Sequence, residues 1–555
     1  MAELRPPDVA APRHRVARAS FAPLADRRSL LDRAHRGDIQ GALGRVAVFD
    51  TGPRPSLGRR LATLLAIMGP GIVVMVADND AGGLAVYAQA GQNHGLRLLP
   101  VLVLLAPVLF VNQEMVARLG AVSGAGHARL IFERFGRRWG SFALADLLLL
   151  NFLTLVTEFI GVALALGYFG VSRFVSVPVA ATALVGVTTA GSFRRWERAM
   201  YALVAVSLLA LPLVVLTYLH HAGDAAVVMP AGGAGGNLPL LVIALVGTTV
   251  APWQLFFHQS NVVDKRITAR WLSYERVDTL LGTVLFTLGA MAVLLACALA
   301  FAGGSAHGEF VDAGRTADAL RHAAGSWAGA LFASTLLFGS VLGAGAVTLA
   351  TSYAIGDVFG VKHSLHRGRR DAPVFHGSFV ALVALAAAAV LIPGVPLGVA
   401  TVGVQALAGV LLPSATVFLL LLCNDEAVLG PRTNPRWLNA VGTVVVGSLI
   451  MLSALLTITT VFPDLDTAAV AVALAAVLGS VLAGLAVADA LRRRPRQRLS
   501  GSGWDRQTWT TPPLETLPPP PPSSARVLGL VVLRVYLFGA LALAAVRVVG
   551  LMIRG

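Results

Sequence analysis

Long apolar runs recur along most of this 555-residue chain, and each is close to the length of about 20 residues that an α-helix needs to cross a bilayer. Hydrophobic residues make up 56% of the sequence and charged residues only 13%, too few to cover the surface of a soluble protein of this size. We expect spans near residues 61–84, 92–117, 141–170, 175–191, 199–219, 237–260, 278–303, 326–357, 375–396, 398–422, 438–461, 467–490 and 527–552. The chain is therefore predicted to be an all-α polytopic membrane protein.

The formal net charge of +15 does not indicate a nucleic-acid partner, because the basic residues lie at the ends of the apolar runs. The positive-inside rule predicts this placement for a bilayer protein. A cytoplasmic N-terminus puts the Arg-rich loops on the cytoplasmic side, while the predicted outside loop at 220–236 contains neither Lys nor Arg. We expect an integral membrane protein, and the Arg- and Ala-rich usage suggests a bacterial plasma membrane.

Changes in composition divide the chain into five parts. We expect an Arg-rich cytoplasmic arm, disordered or loosely helical, followed by a transporter core, two further transmembrane helices, a semi-rigid Pro-rich cytoplasmic linker and a final transmembrane helix. These parts are predicted at residues 1–60, 61–430, 431–495, 496–525 and 526–555. Cys297 and Cys423 both lie inside apolar runs and are interpreted as small core residues.

The first span carries polar residues at a depth where they are costly. Asp78, Asn79 and Asp80 lie in one apolar run, followed by Gly82 and Gly83. An ionised carboxylate at a helix centre costs roughly 2.5–3.5 kcal/mol on insertion scales, so such residues usually face a bundle interior or a water-filled cavity. Glycines beside acids favour local unwinding, which would form an oxygen-rich cation site. The alternative is a plain loop between two short helices.

The sixth span contains Pro252, which lacks a backbone N–H and disfavours a continuous helix. A break there would free carbonyl groups around Thr248 and Ala251. A single proline kink is common in membrane helices, but interruptions in the first and sixth spans together are typical of a LeuT-like 5+5 inverted repeat. In that architecture the substrate binds at the midplane, between the two broken helices.

At these two spans the sequence resembles the Nramp family of divalent-metal transporters. The first span is similar to the family's Gly-Pro…Asp-Pro-Gly-Asn…Gln-Ala-Gly motif, and the sixth to its Met-Pro-His motif. The matching segments are Gly69-Pro70, Asp80-Ala81-Gly82-Gly83, Gln89-Ala90-Gly91 and Ala251-Pro252-Trp253, with Ala117 to Gly120, Glu158 to Gly161, and Gln405 before Pro413. The resemblance covers about residues 61–430.

The resemblance implies a metal site formed by Asp80, Gly83, Thr248, Ala251 and Gln405. In it Asp80 keeps the family's metal-binding carboxylate, while Thr248 and Ala251 act mainly through backbone carbonyls. Gly83 stands where the family has an Asn ligand, and Ala251 replaces its thioether ligand. Thioethers select softer transition metals, whereas Mg²⁺ prefers oxygen ligands and loses its water reluctantly.

The resemblance also bears on the ion pathway. The family's third-helix Asp is Leu155 here, and the His after the sixth-helix proline is Trp253. Neither residue titrates, which is typical of the Nramp-related magnesium transporters, a branch with a roomier site and no proton coupling. Further pathway or gating residues are predicted in three segments, namely Asp78 with Asn79, Glu158, and Gln254 beside Trp253.

We therefore predict alternating-access transport of Mg²⁺, with Mn²⁺ as a further substrate and without proton coupling. The partners expected are the divalent ion and the lipid bilayer, with no cofactor and no nucleic acid. The alternatives are a proton-coupled Mn²⁺/Fe²⁺ importer, an amino-acid transporter of similar architecture and a non-transporting membrane scaffold. A carboxylate at Asp80 would repel an amino acid's own carboxylate, and no catalytic motif indicates an enzyme.

Overall fold

The computed structural model describes residues 33–221, 238–302, 304, 306–393, 397–462, 464–491, 506–520 and 526–539. A two-stranded antiparallel hairpin opens this part of the chain, with β1 at Ile39–Gly41 and β2 at Gly44–Val46. Helices follow. The first group comprises α1 (Leu57–Ile67), α2 (Pro70–Val76), α3 (Ala81–His94), α4 (Leu99–Ser123), α5 (His127–Phe135), α6 (Arg137–Tyr168), α7 (Arg173–Thr188), α8 (Phe193–Ser207) and α9 (Ala210–His220).

A second group of helices repeats the pattern of a broken helix followed by longer ones. It comprises α10 (Leu238–Thr249), α11 (Pro252–Asp264), α12 (Leu272–Phe301), α13 (Ala313–Ala324), α14 (Ser326–Phe359), α15 (Pro373–Leu391) and α16 (Leu397–Leu422). The chain continues with α17 (Glu426–Leu429), α18 (Arg436–Val461), α19 (Thr467–Leu491) and a helix over residues 526–539, here α20.

Within the described residues, 10 helical segments are long and apolar enough to cross a membrane, and α1 with α2 brings the number to 11. The two interrupted spans predicted from the sequence are both present, the first between α2 and α3 and the sixth between α10 and α11. The first span also bends by 54° between α1 and α2, a break that was not predicted.

The prediction of one run over 61–84 followed by another over 92–117 was wrong in its boundaries. Residues 92–94 end α3, and the next span, α4, covers Leu99–Ser123. Gly95, with φ of 57°, ends α3 because glycine readily adopts that left-handed backbone. The polar residues Gln92 to His94 still belong to α3, so the change from apolar to polar residues does not mark the end of this helix.

The broken spans lie at the centre of the bundle. In the apolar stretch of the sixth span 89% of the residues are buried, against none in α19. The helix α12 packs along α2 and α3, α16 packs along α10, and α6 packs along α14. The polar breaks are therefore enclosed by neighbouring helices, while α19 presents its sides to lipid.

The expectation of a loosely ordered arm over residues 1–60 needs correction for its last part. Residues 33–56 carry the hairpin, and α1 begins at Leu57. Ile39 and Val46 are buried against the helices, which gives this short segment an apolar anchor. Residues 1–32, most of the predicted 220–236 loop, and parts of the Pro-rich linker and of the last span lie outside the described residues.

Candidate functional site

The first break places Asp80 at the start of α3. Its carboxylate accepts a hydrogen bond from the backbone N–H of Gly83 at 2.7 Å, so Asp80 is the N-cap of that helix. Aspartate is a favoured N-cap because its oxygen satisfies a helix N–H that has no intrahelical partner. Asp80 is 1% exposed. A buried carboxylate is thus held at the midpoint of an interrupted span.

The second break lies between Thr249 and Pro252. Pro252 is the first residue of α11, where its missing N–H costs no helical hydrogen bond. It therefore donates nothing to the carbonyl of Thr248, four residues earlier. Ala251 has an extended backbone and its carbonyl accepts from the Gln254 N–H at a long 3.2 Å. Two carbonyl groups at this break are thus unused or weakly used.

The structure brings the two breaks together at Gly83. A Cβ atom at Gly83 would lie 2.6 Å from the Asp78 carbonyl oxygen and 3.0 Å from Oγ1 of Thr248. A Cβ atom at Gly82 would lie 1.7 Å from Nε2 of Gln405 on α16. Four of the residues predicted for the metal site therefore lie at or beside the first turn of α3, namely Asp80, Gly83, Thr248 and Gln405. Ala251 lies at the edge of the facing break.

Glu158 lies directly beside Asp80. Its Oε2 accepts from the N–H of Ala81 at 3.1 Å. A Cβ atom at Gly343 of α14 would lie 2.8 Å from Cβ of Asp80 and 3.1 Å from Oε2 of Glu158. Two buried carboxyl groups this close repel each other unless a cation or a proton lies between them. Both therefore favour a positive charge at this place.

Several polar atoms around the breaks are buried and have no hydrogen-bond partner among the described residues. They are both carboxylate oxygens of Asp78, Oε1 of Glu158, Oγ1 of Thr248, Nε2 of Gln254, Nε2 of Gln405 and the Tyr87 hydroxyl. Each unsatisfied buried group costs about 1–3 kcal/mol, so these atoms favour a ligand or water that can pair with them. A hydrated cation would supply partners for most of them.

Few of the available ligand groups are charged, and most of them offer oxygen atoms. Among the residues that the structure describes, no three His, Cys, Asp or Glu side chains are placed to hold a metal ion. Asp80 and Glu158 are thus accompanied by hydroxyl, amide and carbonyl groups, which are hard ligands suited to Mg²⁺ or Ca²⁺. Ala251 and Gly83 add no side-chain ligand of their own.

A narrow gap with no room for a water molecule lies beside this region. Its lining includes Ala81, Gly161, Asp312 and Thr401, from α3, α6, the start of α13 and α16. Because Ala81 adjoins Asp80, the gap lies next to the candidate site. We call the side of the bundle at the C-terminal end of α12, where α13 follows, the α13 face, and the side at the opposite end of α12, where the β-hairpin packs, the hairpin face.

The remaining predicted pathway residues take up defined contacts. Nδ2 of Asn79 donates to the Phe286 carbonyl of α12 at 3.1 Å, which ties the first break to a neighbouring helix. Trp253 is buried against Phe257, and Oε1 of Gln254 accepts from Nε2 of Gln113 at 2.8 Å. Leu155 is fully buried. No titratable group stands at positions 155, 251 or 253.

Sequence reasoning missed several polar residues near the first and sixth spans. Gln113 on α4 also accepts from His258, whose other ring nitrogen lies 3.0 Å from Oε1 of Glu275. Asp278 on α12 accepts from the N–H groups of Gly69 and Gly71. Acidic residues inside the apolar run of α12 were the signal that could have identified this neighbourhood.

Comparison with known proteins agrees with this architecture. Residues 71–459 match the Nramp family, described as natural resistance-associated macrophage protein-like. The divalent metal cation transporter MntH 1 of Pseudomonas aeruginosa is 30% identical over 406 residues, covering 70% of this chain and 90% of that protein. The MntH protein of Verminephrobacter eiseniae is 28% identical over 431 residues, covering 74% and 93%.

A crystal structure of the Eremococcus coleocola manganese transporter, in complex with an aromatic bis-isothiourea substituted compound, has the same fold. The TM-score is 0.57 at 20% identity, over 80% of this chain and 99% of that one. The family match covers more than half of the sequence and both broken spans. The chain therefore belongs to the Nramp family, and it is an integral membrane transporter rather than an enzyme.

Proposed function

We propose that this protein carries Mg²⁺ across the membrane by alternating access, without a coupled proton and with Mn²⁺ as a further substrate. A divalent metal cation is its substrate class: its relatives in Pseudomonas and Verminephrobacter are divalent metal cation transporters, and buried carboxyl groups stand at the centre of the fold. The choice of Mg²⁺ rests on one observation, the carboxylate, hydroxyl and carbonyl oxygens around Asp80 between two breaks that carry Gly83 and Ala251.

The small residues at the breaks bring oxygen atoms close together. Gly83 has no Cβ atom, so the Asp78 carbonyl and the Thr248 hydroxyl approach the start of α3 more closely than any other residue would allow. Ala251 offers no sulfur, so nothing at this break favours a soft transition metal. Mg²⁺ usually keeps several of its waters when it is bound. The unpartnered oxygens of Asp78, Glu158 and Thr248 are suitable acceptors or dipoles for such waters.

Transport would proceed by rocking of the two repeats around the midplane site. With the hairpin face in the cytoplasm, the α13 face admits the ion from outside. The membrane potential favours inward movement at about 2.3 kcal/mol per elementary charge per 100 mV, so a dication can enter without a coupled proton. Leu155 and Trp253 provide no proton-accepting group at the positions where the family has one.

The second candidate is a proton-coupled Mn²⁺ or Fe²⁺ importer. The observation that favours it is the pairing of Asp80 with Glu158, because one proton could be held between two adjacent buried carboxyl groups and released when a metal binds. Glu158 is present, whereas Leu155 and Trp253 cannot titrate. The two candidate functions therefore differ in whether the Asp80–Glu158 pair releases a proton during transport.

Ion flux into proteoliposomes tests the proposal. We expect Mg²⁺ entry without acidification of a pH-sensitive dye in the lumen, and its loss in Asp80→Ala because the principal charge of the site is removed. Asp146→Ala, which removes a half-buried acid bonded to Ser414 away from the breaks, is the matched control and should transport. Mn²⁺ entry with acidification and without Mg²⁺ flux would establish the proton-coupled alternative instead.

A further inference from the structure

The hairpin lies directly on the first half of the first span. A Cβ atom at Gly41 would lie 2.2 Å from the carbonyl oxygen of Ala66, and one at Gly44 would lie 3.0 Å from Cβ of Ala66. Only glycines allow the hairpin turn to approach α1 so closely. The strands pair in register, Gly41 opposite Gly44, so both contacts come from the same turn.

A separate apolar cluster anchors the hairpin to several helices. Ile39 and Val46 pack with Ala66 of α1, Val262 of α11 and Trp271 at the start of α12. This cluster is distinct from the main core of the bundle. The hairpin therefore packs on the first span through α1 and on the sixth span through α11.

A buried ion pair holds the hairpin turn against the bend of the first span. Oε2 of Glu197, on α8, accepts from the Ala42 N–H of the hairpin turn at 2.5 Å, and its Oε1 accepts from Nζ of Lys265 at 2.5 Å. Lys265, just after α11, also donates to the carbonyl of Met68 at the bend between α1 and α2. Both charged side chains are at most 1% exposed.

The bend itself is built around this pair. Gly69 has a φ of 147°, and a Cβ atom there would lie 2.0 Å from Oε1 of Glu197 and 2.8 Å from Nζ of Lys265. Four elements thus meet at two side chains: the hairpin, α8, the end of α11 and the bend in the first span. Breaking the pair would leave two buried charges uncompensated, which is strongly unfavourable.

We propose that Glu197 and Lys265 are positioning residues of the transport cycle, clamping the hairpin across the first span so that the ion reaches the cytoplasm only when the clamp opens. This inference rests on the alternating-access mechanism proposed above, but not on which ion is carried. These contacts close the hairpin face over the first span. Opening that face requires the bend at Met68 and Gly69 to leave Glu197 and Lys265.

Accessibility of a cysteine beside the site measures this gate directly. Ala77 is fully buried next to Asp78, so Ala77→Cys, with Cys297→Ala and Cys423→Ala, gives a single reporter thiol. A membrane-impermeant thiol reagent is applied to inside-out and to right-side-out vesicles of the full-length protein, without Mg²⁺. Lys265→Met should speed labelling from the hairpin face about tenfold and slow it from the α13 face.

Faster labelling from one face together with slower labelling from the other distinguishes opening of the gate from loss of structure. A variant that merely loosens the fold becomes more reactive from both faces, and this result would overturn the proposal. Should Lys265→Met fail to fold because Glu197 is left unpaired, the double change Glu197→Gln with Lys265→Met removes both charges and should give the same reciprocal shift. Arg129→Met, which breaks an ion pair inside α5, is the matched control and should change neither rate.

Gly44→Val tests the hairpin at its contact with α1. A Cβ atom at Gly44 meets only atoms of Ala66 as its nearest neighbours, so the larger side chain should lift the turn from α1, and labelling should again rise from the hairpin face and fall from the other. Gly52→Val lies in open space and should behave as the parent. Unchanged labelling of Gly44→Val would show that the hairpin is not part of the gate. Reciprocal labelling in a protein that does not carry Mg²⁺ would overturn the ion assignment but keep the clamp.

Discussion

Single side chains at the two breaks set the charge and the packing near the candidate site. Asp80 carries a buried carboxylate at the start of α3, and Gly83 lets the Thr248 hydroxyl approach that helix closely. Ala251 is buried directly before Pro252 at the break of the sixth span, so a longer side chain there must fit inside the bundle. On the proposed function, the size and chemistry of the residue at position 251 affect the choice of ion.

Ala251→Met should shift the preference from Mg²⁺ towards Mn²⁺, because a thioether is a ligand for softer metals and fills space that a hydrated ion would use. We expect Mg²⁺ flux to fall by roughly tenfold or more while Mn²⁺ flux is kept, on the scale that ligand-environment changes typically produce. Competition between the two ions in proteoliposomes measures this. Ala251→Leu has a side chain of similar size without the sulfur. The same Mg²⁺ and Mn²⁺ fluxes in both variants would show that the effect comes from side-chain size and not from the thioether.

His363, in the loop between α14 and α15, gives the hairpin face a pH dependence. Burial lowers the pKa of this imidazole, but its hydrogen bond to Asp357 outweighs burial and raises the pKa from 6.5 to about 8. The stabilisation is thus fully present below pH 6.5 and is lost as pH rises through about 8. It amounts to about 2 kcal/mol of the free energy of unfolding.

We therefore expect the melting temperature of the purified protein to decline between pH 6.5 and 9 more steeply than in His363→Gln, which lacks the titrating group. Thermal unfolding followed by intrinsic fluorescence measures the difference. His322→Gln, at an exposed position of α13, should retain the slope of the unmodified protein. Parallel slopes for the protein and for His363→Gln would contradict the assignment.

At the scale of elements, breaks in helices need partners from other helices. The N-cap of α2 is Gly69, which has no side chain to cap the helix. Asp278 of α12 takes this role, accepting from Gly69 N–H at 3.1 Å and from Gly71 N–H at 2.7 Å. The short helix α2 is thus completed by a carboxylate more than 200 residues later in the chain.

Asp278→Ala should destabilise the protein by about 1–3 kcal/mol, because two buried N–H groups lose their acceptor. The expected result is a lower melting temperature in detergent. Thr287→Ala, on the same helix, removes a hydroxyl that bonds only to its own helix and should have a smaller effect. Equal melting temperatures of Asp278→Ala and Thr287→Ala would show that the stability of α2 does not depend on this cap.

For the whole molecule, long apolar helices surround a polar centre. The long helices α6 and α14 pack together, and the centre holds the two breaks with their unpartnered oxygens. A ligand that binds only the folded protein stabilises it by RT ln(1 + [L]/Kd), about 2.7 kcal/mol at 100 times Kd. Ion binding should therefore be visible as a global property.

Mg²⁺ should raise the melting temperature in a saturable, concentration-dependent manner, and Asp80→Ala should abolish that response. Na⁺ at equal ionic strength controls for screening of surface charges. The comparison is made by thermal unfolding of the detergent-solubilised protein. A Mg²⁺ response that persists in Asp80→Ala would place the stabilising ion elsewhere in the molecule.

The sequence by itself determined the membrane-spanning helices and the two breaks. Bilayer thickness requires long apolar runs, and Pro252 and the Asp78–Asp80 segment interrupt them in ways that any tertiary context must accommodate. Asp80 and Thr248 follow from these breaks as candidate site residues, and Gln405 follows from the resemblance to the Nramp family; their ligand roles remain predictions.

Only the tertiary structure decided what surrounds those breaks. Contacts between residues that are distant in sequence surround the bend at Gly69, provide the cap from Asp278 and pack the hairpin on Ala66. Local hydrophobicity carries no information about such contacts, because a buried charge and a lipid-facing charge look alike in a sequence until their partners are known. The clamp of Glu197 and Lys265 is of this kind: each residue lies near the end of an apolar run, and only packing shows that they meet.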